Sequence, residues 1–203
     1  FYLLESFNYY THMPIYKKNY FLIIQNTKDL DLSKIKLINK FVIIYRNEGK
    51  IINIEEIVKF RKQCKIKKIA FYVANNIDLM LRTKADGIYI SAHNNKLSLS
   101  KFKKSYYKII GSAHNIKELN IKKIQGCNLF IFSRLFETNY TQKKGFLGVT
   151  KFNLFSLSRK ENLVPLGGIN IKNLNKMNII NSDSFVLLSE VKKKPAKIFS
   201  RLF

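Results

Sequence analysis

Apolar residues fall along this chain in eight short runs, each followed by a more polar stretch. The runs are Tyr20 to Ile24, Phe41 to Tyr45, Ile69 to Val73, Gly87 to Ile90, Tyr107 to Ile110, Leu129 to Phe132, Leu163 to Leu166 and Phe185 to Leu188. They are rich in Ile, Val, Phe and Tyr and mostly continuous, as strands buried on both faces are. The stretches between them change period. Ile54, Ile57, Val58 and Arg61 to Cys64 recur at helical spacing, as do Ile77, Met80 and Leu81, then Ile116, Leu119 and Ile124, and later Leu154, Leu157 and Ser158. Strand then helix, repeated eight times, predicts a parallel sheet closed by right-handed crossovers into a (β/α)8 TIM barrel of the α/β class.

The 203 residues, 46% of them hydrophobic, are ample for one packed domain and tight for two. No Ser-rich or Pro-rich linker interrupts the alternation, so residues 1–18 read as an N-terminal extension and residues 19–203 as the barrel. The basic tail from Lys192 to Phe203 opens on Lys192-Lys193-Lys194-Pro195, which reads as a solvated helix start.

Charge narrows the partners. Lys+Arg 37 against Asp+Glu 13 gives a formal +24, which suits nucleic acid, an anionic membrane or an anionic substrate. The excess is mostly lysine, scattered with Asn and Ile over nearly every segment. No arginine-rich block or aromatic-interleaved basic stripe concentrates it, which argues against nucleic-acid binding. Cys64 and Cys127 are isolated thiols without CxxC spacing or a neighbouring His, so neither a disulfide framework nor a zinc site is expected, and a reducing cytoplasm fits. No apolar run approaches the ~20 residues that span a bilayer, and the N-terminal stretch lacks a signal-peptide layout.

The seventh run leads into Gly167-Gly168-Ile169-Asn170, ahead of a helical pattern. Two residues without Cβ let a phosphate oxygen approach backbone N–H groups, and a following helix would point its positive end at the same spot. Barrels that bind phosphate keep this element in their last units. The alternative is a tight turn with no ligand.

Four segments carry a family resemblance: Ala85-Asp86-Gly87-Ile88-Tyr89-Ile90, then Ile109-Ile110-Gly111-Ser112-Ala113-His114-Asn115, then Phe136-Glu137-Thr138 leading to Leu147-Gly148, then Val164-Pro165-Leu166-Gly167-Gly168-Ile169. In order and spacing they resemble the thiamine phosphate synthase and TenI family, whose motifs read ADGVHLG, IGxSxHS, GPxFPTxTK with LG downstream, and PVxAxGGI. The likeness runs from about Phe21 to Ser189 and is greatest to a divergent, proteobacterial-type branch with an aromatic-Arg pair like Tyr45-Arg46 after the second strand. It implies a barrel that joins hydroxymethylpyrimidine diphosphate to thiazole phosphate with release of pyrophosphate. It also implies a dissociative step in which Mg²⁺ and cationic side chains draw off the leaving group.

Residue by residue, Arg46 stands where the family's QLREK arginine contacts the diphosphate, with Ile44, Asn47 and Glu48 replacing its neighbours. Asn75-Asn76 occupies the place of NDR, keeping the pyrimidine-contacting Asn as Asn75 and turning the metal-binding Asp into Asn76. Ser91-Ala92-His93-Asn94 replaces GQxD, so the second metal-binding acid is Asn94. Neutral amides are poor ligands for a hard divalent cation. Asp78 falls on the first turn of the following helix, where an acid favours the N-terminus. The lysine of FPTxTK falls on Thr141, with Lys143 and Lys144 close by.

The thiazole-phosphate half persists as Thr138, Gly167, Gly168 and Ser189, and Ser112 holds the position that contacts pyrophosphate. Taken alone, Thr138 and Ser189 would read as helix-capping hydroxyls. His114, at the mouth of the fifth strand, stands where TenI-type thiazole tautomerases place a proton-transfer group; next to Asn115 it reads equally well as a helix cap. His93 reads as a loop residue and His12 as a terminal one. Three functions compete: a thiamine-pathway enzyme, either synthase or tautomerase; a barrel without catalysis that binds a phosphorylated ligand or a partner protein; and a basic nucleic-acid or membrane-surface binder.

Overall fold

All eight runs form strands, and they pair in chain order until the last closes on the first. The computed structural model describes residues 17–35, 39–47, 49, 52–98, 107–138 and 145–188. The strands are β1 (Asn19–Ile24), β2 (Phe41–Tyr45), β3 (Ala70–Ala74), β4 (Gly87–Ile90), β5 (Lys108–Ala113), β6 (Leu129–Ser133), β7 (Asn162–Leu166) and β8 (Ser184–Leu187). Every pairing is parallel. Tyr20 stands opposite both Phe41 of β2 and Phe185 of β8, which closes the ring.

Closure explains the continuous apolar runs. One face of the strands points inward, where Phe21, Ile23, Ile44, Tyr72, Tyr89, Ile110, Ile131, Val164 and Val186 pack together. The alternate residues, among them Leu22, Ile43 and Phe71, pack outward against Ile57, Phe60, Cys64, Leu119 and Phe152. Both faces leave water, and each fully buried aliphatic or aromatic side chain contributes about 1.5–3 kcal/mol.

Among the described residues, four α-helices cover the strands: α1 (Ile54–Ile66), α2 (Ile77–Arg82), α3 (Ile116–Ile124) and α4 (Gly148–Leu157). Asparagine starts the first three. Asn53 Oδ1 accepts from Glu56 N at 3.1 Å, Asn76 Oδ1 from Leu79 N at 2.9 Å and Asn115 Oδ1 from Glu118 N at 2.9 Å, each satisfying an N–H that the helix itself leaves over. Asp78 sits in the first turn of α2, as expected, and pairs with Arg82 one turn on.

A helix after every strand overstates the regularity. After β1 come two short 3₁₀ turns, Thr27–Asp29 and Leu32–Lys34, and after β7 a 3₁₀ helix, Leu174–Ile179. The cause is local. Asn26 Oδ1 accepts from Lys28 N and Asp31 Oδ1 from Ser33 N, both at 2.9 Å, while Asn173 Oδ1 accepts from Asn170 N at 2.9 Å; such bonds compete with the α-helical ladder. The connection after β4 enters residues 99–106 and that after β8 enters 189–203, both outside the described residues. Of the expected extension 1–18 only Lys17 and Lys18 are described. Lys17 Nζ donates to Ile180 O at 2.9 Å and Lys18 N to Asp183 O at 2.7 Å. The tail from Lys192 lies outside the described residues as well.

Asp86-Gly87, which opens β4, serves the barrel. Asp86 Oδ2 accepts the β3 amide of Phe71 at 2.7 Å, and its Oδ1 pairs with Arg61 Nη2 of α1 at 2.8 Å. A Cβ on Gly87 would fall on the Lys108 carbonyl oxygen and 2.8 Å from the Tyr72 ring. Cys64 and Cys127 are buried thiols, and burial pushes both up to about 12. Among the described residues no helix is long and apolar enough to cross a membrane.

Candidate active site

The inward alternation continues past the last apolar layer into polar residues. Two positions beyond Ile44 lies Arg46; two beyond Tyr89 lies Ser91; Ser112 and His114 continue from Ile110, and Ser133 from Ile131. These residues ring the C-terminal mouth, where barrel enzymes carry their chemistry. Tyr89, 1% exposed, lies in the apolar layer beneath them. Burial raises its phenol above the ordinary tyrosine range, while a hydrogen bond with Ser112 and the Arg46 charge pull it back down. Ser112, far from Tyr89 in sequence, thus hydrogen-bonds its hydroxyl, and the Arg46 charge acts on the same group.

His114 is held at the mouth by a different neighbour. Its Nδ1 lies 2.7 Å from Ser133 Oγ, joining the ends of β5 and β6. Capping of α3 falls instead to Asn115, while the backbone N–H of His114 donates to Glu118 Oε2 at 2.7 Å. The imidazole is thus not the helix cap that its place in the chain also allowed. His93 approaches from the loop after β4, its ring centroid 6.0 Å from that of His114.

Asn75, Asn76 and Asn94 all lie at this end, with their amides engaged. Asn75, at φ +57, donates from Nδ2 to Ser91 Oγ at 3.0 Å and accepts on Oδ1 from Ser91 N at 3.0 Å and Asn94 Nδ2 at 3.1 Å. It braces the β3 and β4 ends against each other. Asn76 Oδ1 caps α2, and Asn94 Oδ1 accepts from Lys96 N at 3.1 Å. The loop carrying Asn94 is anchored from below by Lys122, fully buried in α3, whose Nζ donates to Asn94 O at 2.5 Å and Gln125 Oε1 at 3.0 Å. Desolvation lowers the Lys122 pKa, offset in part by Cys127 and Glu118.

A Mg²⁺ ion of the kind the resemblance implies does not fit this donor set. Such an ion seeks charged oxygens at short range. The two expected ligand positions carry neutral amides whose oxygens already accept backbone N–H groups, and Asp78 is committed to Arg82. Among the described residues no three His, Cys, Asp or Glu side chains come together.

The Gly167-Gly168 turn lies across the barrel mouth from Asn75. Both residues have positive φ, +102 and +69, which costs glycine nothing. No α-helix follows them. The chain turns through Ile169 to Asn173 into the 3₁₀ helix, and Gly168 O accepts from Asn170 Nδ2 at 3.1 Å and Asn173 Nδ2 at 2.7 Å. The expected helix N-terminus is therefore not part of the seat. What needs Gly168 is the loop after β6: a Cβ there would fall on Glu137 O and within 2.6 Å of Phe136 O. Phe136 N donates to Gly167 O at 3.0 Å, and Leu135 N to Leu166 O at 2.9 Å, so the two loops are laced together. Thr138 sits on this loop, its Oγ1 accepting from Arg134 Nη1 at 2.6 Å. Ser189, Thr141, Lys143 and Lys144 lie outside the described residues.

Sequence reasoning missed Tyr89, Ser133 and Arg134. The run ending at Phe132 stopped one residue short, and carrying the alternation on from Ile131 would have turned Ser133 inward. Tyr89 lay hidden inside a strand, where its phenol looked like core.

The family model described as thiamine monophosphate synthase matches residues 39–191 of this chain. The thiamine-phosphate synthase of Methanococcus vannielii is 28% identical over 146 residues, covering 70% of this chain and 69% of that protein. Those of Prochlorococcus marinus strains SARG and AS9601 are 28% and 27% identical over 115 and 142 residues, covering 56% and 68% of this chain. The chain spans 33% and 40% of the length of these two relatives. In fold, it is similar to thiamine phosphate pyrophosphorylase from Pyrococcus furiosus, with a TM-score of 0.72 at 17% identity over 92% of this chain and 94% of that one. A likeness to 3-hexulose-6-phosphate synthase, with a TM-score of 0.61 at 11% identity over 91% of this chain and 97% of that one, is one of fold alone.

Proposed function

Since the chain belongs to the thiamine monophosphate synthase family, we propose that it is a transferase of thiamine biosynthesis that joins hydroxymethylpyrimidine diphosphate to thiazole phosphate. In this reaction the bond between the pyrimidine methylene carbon and the diphosphate oxygen breaks, its electron pair leaving with pyrophosphate. The thiazole nitrogen then gives its lone pair to the resulting cation. The enzyme's task is to hold two anions and stabilise the charge that builds on the leaving group.

The observation that carries this reading is the polar rim of the barrel mouth, where Arg46 and Ser112 continue the inward rows of Ile44 and Ile110 and Ser112 hydrogen-bonds the buried Tyr89. A guanidinium offers a rigid fork of donors to phosphate oxygens, and Ser112 adds a hydroxyl on the same rim. Thr138 and the Gly167-Gly168 turn receive the thiazole phosphate on the opposite side, with Ser189 as a further donor. Asn75 keeps the pyrimidine side of the mouth in shape by bracing Ser91 and Asn94. The buried, reduced thiols suit a cytoplasmic enzyme.

A second reading rests on His114. An imidazole oriented by Ser133 Oγ at 2.7 Å supports proton transfer on a bound thiazole, the chemistry of a tautomerase. The deciding experiment supplies both substrates, with Mg²⁺ or with EDTA, and follows thiamine phosphate. Product that falls about 100-fold or more in Arg46→Ala supports the synthase. Thiazole isomerisation without thiamine phosphate would replace it with the tautomerase, and neither activity would overturn both.

A further inference from the structure

We propose that Arg134 is the cation of the phosphomonoester seat, a role that no motif of the chain announces. The inference rests on the reading that a phosphorylated thiazole binds at the Gly167-Gly168 side of the mouth. A phosphate monoester carries close to two negative charges at neutral pH and calls for a fixed cation. The position where the resembled motif has its lysine is Thr141, and Thr138 and the glycine turn are neutral. Arg134 stands at the second residue of the same motif, where GPxFPTxTK has proline.

The structure places that arginine at the seat by three independent contacts. Its stem lies against Gly167: an ideal Cβ there would come within 3.0 Å of Arg134 Cγ and 3.2 Å of its Cβ. A side chain at Gly167 would crowd the arginine stem. Its Nη1 donates to Thr138 Oγ1 at 2.6 Å, so guanidinium and hydroxyl share one corner of the turn. Its backbone is fixed from both sides, since Leu147 N donates to Arg134 O at 2.9 Å and Leu135 N to Leu166 O at 2.9 Å. A guanidinium has five N–H donors in a plane, and Thr138 engages this one through Nη1. A charge held this firmly loses little entropy when it takes up an oxyanion.

Lys176 is the control cation on the same side, its Nζ 5.9 Å from the centroid of the Phe136 ring. The test is calorimetric titration of the full chain with thiazole phosphate, with the dephosphorylated thiazole alcohol and with glycerol phosphate. Native protein, Arg134→Gln, Arg134→Lys and Lys176→Gln are compared, with melting temperatures recorded for each. Arg134→Gln should bind thiazole phosphate at least about tenfold more weakly while its affinity for the alcohol stays unchanged. Arg134→Lys should recover part of the loss, and Lys176→Gln should stay within about twofold. Unchanged phosphate affinity in Arg134→Gln, or an equal loss for phosphate and alcohol, overturns the role of Arg134 and leaves the synthase reading standing. If native protein binds glycerol phosphate through Arg134 but shows no preference for the thiazole, the seat stands and the thiazole reading falls. If it binds no phosphomonoester, both fall.

Discussion

Ser133 at the end of β6 and His114 just past the end of β5 meet with Oγ and Nδ1 2.7 Å apart, and this contact engages one nitrogen of the imidazole. If His114 transfers protons, Ser133→Ala should slow thiazole isomerisation by about tenfold without altering the melting temperature, because the ring loses its orientation rather than its reactive nitrogen. His114→Asn should stop isomerisation and leave thiamine phosphate formation intact. Isomerisation that survives in His114→Asn would remove His114 from the chemistry.

Acids at positions 76 and 94 would test whether this mouth can hold a divalent cation. Aspartate caps a helix as well as asparagine, so Asn76→Asp should keep stability within about 0.5 kcal/mol. Paired with Asn94→Asp, it should tighten Mg²⁺ binding at least about tenfold over the native chain, because two carboxylates replace two amides. Equal Mg²⁺ affinity in calorimetry would mean that the divalent site lies elsewhere.

Gly168 tolerates no side chain. Gly168→Ala combines positive φ with collision against Glu137 O and Phe136 O, and should cost about 2–3 kcal/mol, a fall of about 5–10 °C in melting temperature. Loss of ligand in any Gly168 variant is therefore read together with its melting curve. A variant that melts like the native protein would contradict the loop lacing described here.

Lys122 ties stability to alkaline pH. Burial lowers its folded pKa below the ordinary 10.5, so between the two values the unfolded chain binds more protons and the folded state gains stability as pH rises. The penalty is fully present at pH below the folded value and vanishes above 10.5. Lys122→Met should lose this rise: the difference in urea midpoint between native and variant protein should change from pH 7 to pH 10.5. A constant difference would mean that Lys122 does not titrate differently on folding.

The eight strands were legible because their signal is local: a continuous run such as Phe41 to Tyr45 is apolar on both faces whatever its neighbours, and a closed barrel is the arrangement that buries both. The mouth was legible in part. Arg46, Ser112 and His114 stood out by residue type and by likeness to known motifs, whereas the bracing of Ser91 by Asn75 and the capping of α2 by Asn76 did not show in the sequence. The 3₁₀ helix after β7 was not foreseen, because Asn170 and Asn173 compete for their own backbone in a way that apolar spacing does not register.

What the sequence determined by itself was the order of elements, the buried faces and the neutral amides at positions 76 and 94, all properties of residues taken singly or a few positions apart. Tertiary structure alone decided that Tyr89 hydrogen-bonds Ser112, that Ser133 meets His114, and that the Arg134 stem lies against Gly167. Each pair is remote in sequence or joined across a loop, and barrel register sets their distances: β4 aligns Tyr89 with Ile110 of β5, and β6 aligns Ser133 with Leu166 of β7. Closure of the sheet turns these separations into contacts.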